Sequence, residues 1–108
     1  MIRGNLVTIA MQGDFGKPRP ALVIQANQFC EHSSVTVLPV TSTIVAAPLL
    51  RVTVHPDEEN GLQQVSQVMV DKAVTVKCDT VGSVFGHIEA SVLLEVERCL
   101  AVFLGIAK

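Results

Sequence analysis

Aromatic residues are scarce in this 108-residue chain: they make up 4%, with no tryptophan or tyrosine, although hydrophobic residues reach 49%. The core must therefore be built from Val, Ile, Leu and Ala in short runs. No apolar run approaches the roughly 18 residues of a membrane span, and the N-terminus lacks a signal-peptide core. A soluble, cytoplasmic chain with no membrane partner is expected. Cysteine is scarce too: Cys30, Cys78 and Cys99 are widely spaced, without a Cys-x-x-Cys pair or matched histidines. This argues against a disulfide framework and a structural zinc site. Nor is there an excess of positive charge, since eight Lys and Arg against ten Asp and Glu give a formal net charge of −2. Domains that bind nucleic acid are usually basic overall, so any such binding here has to come from a local cluster touching few phosphates. The length fits a single domain over residues 1–108.

The most informative stretch that is present is Gly13-Asp14-Phe15-Gly16-Lys17-Pro18-Arg19-Pro20-Ala21-Leu22-Val23-Ile24. A glycine-bracketed loop delivers Lys17 and Arg19 into an apolar run that reads as a buried strand. Pro18 and Pro20 restrict the backbone on both sides of Arg19, so its guanidinium sits at a stiff strand entrance, pre-organised for phosphate. A second run, Val35 to Val40, passes through Pro39 and releases Thr41 and Ser42. On residue type alone, an arginine at a strand start is commonly a solvated charge, and a threonine after a strand is commonly a turn or cap hydroxyl.

The chain in order reads as short strands separated by polar turns: Leu6 to Met11, Ala21 to Gln25, Ser34 to Val40, Leu49 to Val54, Gln64 to Val70, then Val74 to Val76 and Val81 to Phe85. Gln12 to Pro18 form a first loop, in which Phe15 either stacks on a base or folds back as a hydrophobic plug. Asp57, Glu58 and Glu59 sit in a turn cluster from His55 to Gly61 and read as a solvated hairpin tip. From Glu89 to Leu104, Val92, Val96, Cys99, Leu100 and Phe103 recur at helical spacing, and the helix stops at Gly105. Cys99 belongs to that apolar face, Cys30 and Cys78 lie in loop-like sequence, and His32 reads as exposed. The pattern is β-rich (α+β), a small barrel with a C-terminal α-helix.

Four segments in register, Arg3-Gly4-Asn5-Leu6-Val7, Gly16-Lys17-Pro18-Arg19-Pro20-Ala21-Leu22-Val23-Ile24, Val37-Leu38-Pro39-Val40-Thr41-Ser42 and Gln67-Val68-Met69-Val70-Asp71-Lys72, followed by Gly86-His87-Ile88 before the helix, resemble the MazF/PemK family of bacterial toxin endoribonucleases. The resemblance spans essentially the whole chain. It implies an SH3-like barrel of the CcdB/PemK type and a type II toxin of a toxin–antitoxin system. The implied activity is cleavage of single-stranded RNA, mRNA included, at a short sequence. Attack by the ribose 2′-hydroxyl would leave a 2′,3′-cyclic phosphate and a 5′-hydroxyl, with no metal ion and no cofactor.

Carried over by matching position, the catalytic residues are Arg19 and Thr41, and the RNA-binding residues are Phe15, Lys17, Ser42, Gln67 and Lys72. Arg19 is suited to holding non-bridging phosphate oxygens as charge builds, and Thr41 to donating a hydrogen bond to the same phosphate or orienting the 2′-hydroxyl. A guanidinium keeps its proton at neutral pH, which leaves the general base unassigned. Ser66 and Met69 stand where better-known members carry an acidic and a basic residue, and His87 replaces a basic position. Base choice is expected to depend on the loops at Asp14 to Lys17 and Ile44 to Pro48. The resemblance further implies a homodimer and a cognate antitoxin. Two other readings belong to different classes: a CcdB-like protein that poisons DNA gyrase through its C-terminal helix, and a catalytically degenerate domain that only binds an antitoxin.

Overall fold

The computed structural model describes residues 1–10 and 17–107. The strands are β1 (Asn5–Ala10), β2 (Pro18–Val23), β3 (Ser34–Thr41), β4 (Arg51–Val54), β5 (Ser66–Met69), β6 (Val74–Lys77) and β7 (Val81–His87), followed by the helix α1 (Ala90–Phe103). Short 3-10 turns lie at Asn27–Phe29, Val70–Lys72 and Cys78–Thr80. The seven strands run in the order β4-β5-β3-β2-β1-β7, with β6 beside the first half of β3. Every pairing is antiparallel. The expected β-rich fold with a C-terminal helix is what forms.

The alternation of side chains along a strand explains why the central runs are apolar at every position. Leu6, Leu22, Leu38 and Val40 point to one side, into a core completed by Val52, Val54, Val68, Val70, Ile88 and Val96. Val7, Ile9, Ala21, Val23, Val35 and Val37 point to the other, into a second core covered by Val74, Val76, Cys78 and Val81. β1, β2 and β3 thus separate two apolar layers. Helix α1 closes the first of them with Val92, Leu93, Val96, Cys99 and Leu100. Phe103 is seven residues beyond Val96 and so on the same helical face, yet it is 48% exposed: the helix outruns the core it covers. The expectation that Phe103 belongs to the buried stripe is corrected accordingly. The helix ends as expected at Gly105, whose φ is +76°. Gly105 N–H donates to the Val102 carbonyl at 3.0 Å and Ile106 N–H to the Ala101 carbonyl at 2.8 Å, the paired bonds of a Schellman end.

Several boundaries differ from the sequence reading, each for a local reason. β2 starts at Pro18 and not at Ala21, because Pro18 and Pro20 take up extended positions opposite Ala10 and Thr8 of β1 and forfeit only a donor. β4 starts at Arg51 and not at Leu49: Leu50 N–H bonds back to the Ala47 carbonyl at 3.0 Å, a turn with Pro48 in its favoured second position. β5 ends at Met69 and passes into the 3-10 turn Val70–Lys72. The end of the first expected strand at Met11, and the loop with Phe15, lie outside the described residues.

Two buried amides fix the segments that flank the functional region. Gln67, 4% exposed, lies on β5 between Thr41 of β3 and Thr53 of β4. Its side-chain oxygen accepts the Val45 N–H at 3.1 Å, and its Nε2 donates to the Val45 carbonyl at 3.1 Å and to Thr53 Oγ1 at 3.3 Å. The segment after β3 is thereby fastened to the sheet. Asn60, 2% exposed, does the same for the turn after β4. Its Oδ1 accepts from Asp57 N–H at 3.1 Å and Leu62 N–H at 2.9 Å, and its Nδ2 donates to the His55 carbonyl at 2.9 Å. Asp57, expected as part of a solvated tip, also accepts the Glu59 and Asn60 N–H groups. Gly86 packs so closely on this turn that an added Cβ would lie 2.3 Å from the Asn60 carbonyl oxygen.

Asn60→Ala is expected to lower the free energy of unfolding by about 2–3 kcal/mol in urea titrations, because it strands partly buried backbone groups; a change below 0.5 kcal/mol (about one noise unit) would contradict this role. Gln67→Leu is expected to speed hydrogen exchange at the Val45 amide by roughly tenfold, measured by NMR, while leaving β1 and β2 protection unchanged.

Candidate active site

β3 keeps β2 on one edge only as far as Pro39, while on its other edge β6 is followed by β5. Val37, Leu38 and Pro39 pair with Val23, Leu22 and Ala21 of β2, whereas Val40 and Thr41 pair with Val68 and Gln67 of β5. The Ile24 N–H donates to the Thr36 carbonyl, so alternate positions place Pro20 where an N–H would next bond β3; Pro20 has none, and β2 and β3 part after Ala21–Pro39. Carried two residues beyond the Ala21–Pro39 pair, the same register sets Arg19 opposite Thr41. Alternation then places both on the face that carries Ala21.

The parting opens a cleft of about 500 Å³. Arg19 and Pro20 form one wall, the segment Pro39 to Thr43 the floor and second wall, and Leu62 to Gln64 with Ser66 and Met69 the far side. Arg19 is exposed to it, Thr41 is half-buried, and Ser42 and Thr43 are exposed at its rim. Thr41 Oγ1 accepts the Thr43 N–H at 3.1 Å. That bond orients the hydroxyl and leaves its proton to be donated into the cleft. Arg19 is the only ionisable side chain among the described residues that line it. Such a set can hold and neutralise a phosphate; it offers donors and a fixed positive charge, not a proton acceptor.

Of the sequence-derived site residues, Arg19, Thr41 and Ser42 come together here. Lys17 is exposed immediately before β2 and is not part of the lining. Gln67 lies one strand over, its amide engaged by Val45 and Thr53. Lys72 is exposed on the 3-10 turn after β5, 3.8 Å from Asp71 Oδ2, and away from the lining. Phe15 lies outside the described residues. His87 pairs with Asn5 at the far end of β7 and approaches Glu59 at 3.3 Å. Sequence reasoning missed Gln63 and Gln64 as a wall. The signal was a run of amides directly after the Gly61 turn; Ser66 Oγ donates to the Gln64 carbonyl at 2.9 Å and holds that run against β5. Among the described residues, no three of His, Cys, Asp and Glu sit together as a metal site. No helix among them is long and apolar enough to cross a membrane.

Comparison with known proteins identifies the family. A family model described as PemK-like, MazF-like toxin of type II toxin–antitoxin system matches residues 2–104. The chain is 42% identical, over 99% of both proteins, to a probable endoribonuclease MazF of Mycolicibacterium smegmatis. Among solved structures, an endoribonuclease in complex with its cognate antitoxin from a mycobacterial species superposes with a TM-score of 0.85 at 21% identity, covering 100% of this chain and 98% of that one. A MazE–MazF complex from Deinococcus radiodurans superposes with a TM-score of 0.78 at 28% identity, covering 99% and 97%. From the near-complete family match and the identity shared along its whole length, this chain belongs to the PemK-like, MazF-like toxins of type II toxin–antitoxin systems.

Proposed function

We propose that this endoribonuclease toxin cuts single-stranded RNA in the cleft between β2 and β3. The observation that carries the reading is the cleft: Arg19 and Thr41 line it together, on strands whose ladder stops two residues short of them. In the proposed reaction the ribose 2′-oxygen attacks the adjacent phosphorus in line with the departing 5′-oxygen. A P–O bond to O2′ forms and the P–O5′ bond breaks. The 2′-proton leaves, the 5′-oxygen gains one, and the products are a 2′,3′-cyclic phosphate and a 5′-hydroxyl. The nucleophile belongs to the substrate, so the reaction needs no metal-bound hydroxide. Arg19 binds the non-bridging oxygens in a bidentate manner as negative charge accumulates in the phosphorane, and the Thr41 hydroxyl donates to the same phosphate. Ser42 and Thr43 at the rim and the Gln63–Gln64 wall supply donors and acceptors for ribose and base edges.

The antitoxin partner and the dimer belong to the same proposal. The chain's relatives include MazF proteins seen together with MazE. On this chain, Val102, Phe103, Leu104 and Ile106 leave the end of α1 and its tail 47–78% exposed, and Leu94 is 48% exposed two turns earlier. A second copy or an antitoxin segment would cover such a stretch. A cytoplasmic location fits an mRNA substrate.

With a long mixed-sequence single-stranded RNA in EDTA, wild type is expected to give fragments with cyclic-phosphate and 5′-hydroxyl ends. Arg19→Ala and Thr41→Ala should each lower kcat by about 10²–10³ while the protein stays folded by circular dichroism. Full activity in both variants would refute the assignment. Equilibrium sedimentation is expected to show a dimer at tens of micromolar, and a monomer throughout would remove that part.

A further inference from the structure

β3, β5 and β4 lie side by side, and one row across them reads Thr41, Gln67 and Thr53. The next row along the same face pairs Met69 with Arg51. Two strand spacings and two residues of rise put Arg51 about 12 Å from Thr41 along the sheet. Met69 lines the Arg19–Thr41 cleft. Arg51, Thr53 and Gln67 line a neighbouring groove of about 300 Å³, walled by the segment Val45 to Pro48 and by Glu95. The cleft and the groove therefore adjoin along one face of β5.

Arg51 differs from Arg3 and Lys72. Arg3 is engaged by Glu97 at 2.7 Å and by the Ile24 carbonyl, and Lys72 by Asp71. Arg51 is half-buried and forms no ion pair among the described residues, although Glu95 borders the same groove. A partly desolvated guanidinium that is not ion-paired is well matched to an incoming phosphate, which it can hold with two parallel bonds. Beside it, Thr53 Oγ1 accepts from Gln67 Nε2 and keeps its proton for donation. The wall facing both is the segment that Gln67 fastens in place.

We propose that Arg51, with Thr53, binds a phosphate of the single-stranded RNA flanking the cut, so that the substrate runs from the Arg19–Thr41 cleft across Met69 into the groove under Val45 to Pro48. This rests on the nuclease reading above. It assigns Arg51 a binding role, expressed in KM, and gives this chain a cation on β4 beside a β5 position occupied by an uncharged methionine.

The test compares wild type, Arg51→Gln and Arg51→Lys on one long RNA and on oligonucleotides trimmed stepwise from either side of the mapped cut, over a range of salt. Arg51→Gln is expected to raise KM about tenfold with kcat unchanged, and to make the slope of log kcat/KM against log salt shallower by about 0.7, the loss of one single-strand phosphate contact. Arg51→Lys should recover most of both. The difference between wild type and Arg51→Gln should vanish once trimming on one side removes the contacted phosphate. Wild-type KM and salt slope in Arg51→Gln would overturn the proposal. So would a defect that persists at every length and is not relieved by lysine, or weakened antitoxin binding with unaltered RNA kinetics. Anisotropy with the same RNA carrying 2′-O-methyl riboses reads binding alone. A wild type that cuts nothing would then refute the nuclease reading, while equal binding by wild type and Arg51→Gln would separately refute this one.

Discussion

The site depends on one constraint: the β2–β3 ladder ends at the Ala21–Pro39 pair, where Pro20 has no N–H to offer β3, while β3 runs on beside β5 at its other edge. Val37 to Pro39 belong to one sheet surface, Val40 and Thr41 to another. Were the ladder to continue, its register would set Arg19 opposite Thr41. Because it stops, the same register that aligns them also leaves them apart, on the walls of a cleft. Proline therefore acts here less as a turn former than as a way to end pairing without ending the strand.

Rigidity around that gap comes from burial on both sides. The residues of β2 that follow Arg19 and those of β3 that precede Thr41 alternate between two apolar cores, so neither strand can rotate without exposing leucine or valine on one face or the other. The loops that complete the walls are tied down differently, by the Gln67 and Asn60 amides, each of which satisfies a backbone that the sheet itself does not reach. The resulting scaffold places few charges but holds them firmly, which suits a chain of net negative charge that must still meet an anionic polymer.

What could be read from sequence follows the same division. Arg19 between two prolines, and Thr41 two residues after Pro39, carry their constraint in the adjacent residues, and the structure brings both to one cleft. The two-sided burial of β2 was legible because no polar residue interrupts Ala21 to Ile24. Gln67 was legible as a strand residue but not as a loop fastener, since its partner Val45 lies 22 residues away and offers only backbone atoms. The Gln63–Gln64 wall and the Arg51–Met69 pairing were likewise invisible, because cross-strand register is set by long-range pairing that residue types do not encode locally. Phe103 misled for the opposite reason: its periodicity is correct, but periodicity does not say where the core beneath a helix ends.

The central claim is that the gap between β2 and β3 receives the scissile phosphate. The most direct measurement is a crystal structure of this chain with a short single-stranded RNA whose ribose at the cut carries hydrogen in place of the 2′-hydroxyl. The account predicts the phosphate at that ribose lying between the Arg19 guanidinium and the Thr41 hydroxyl, within hydrogen-bond distance of both. An RNA seated instead on the exposed face of α1, with the β2–β3 gap empty, would contradict it.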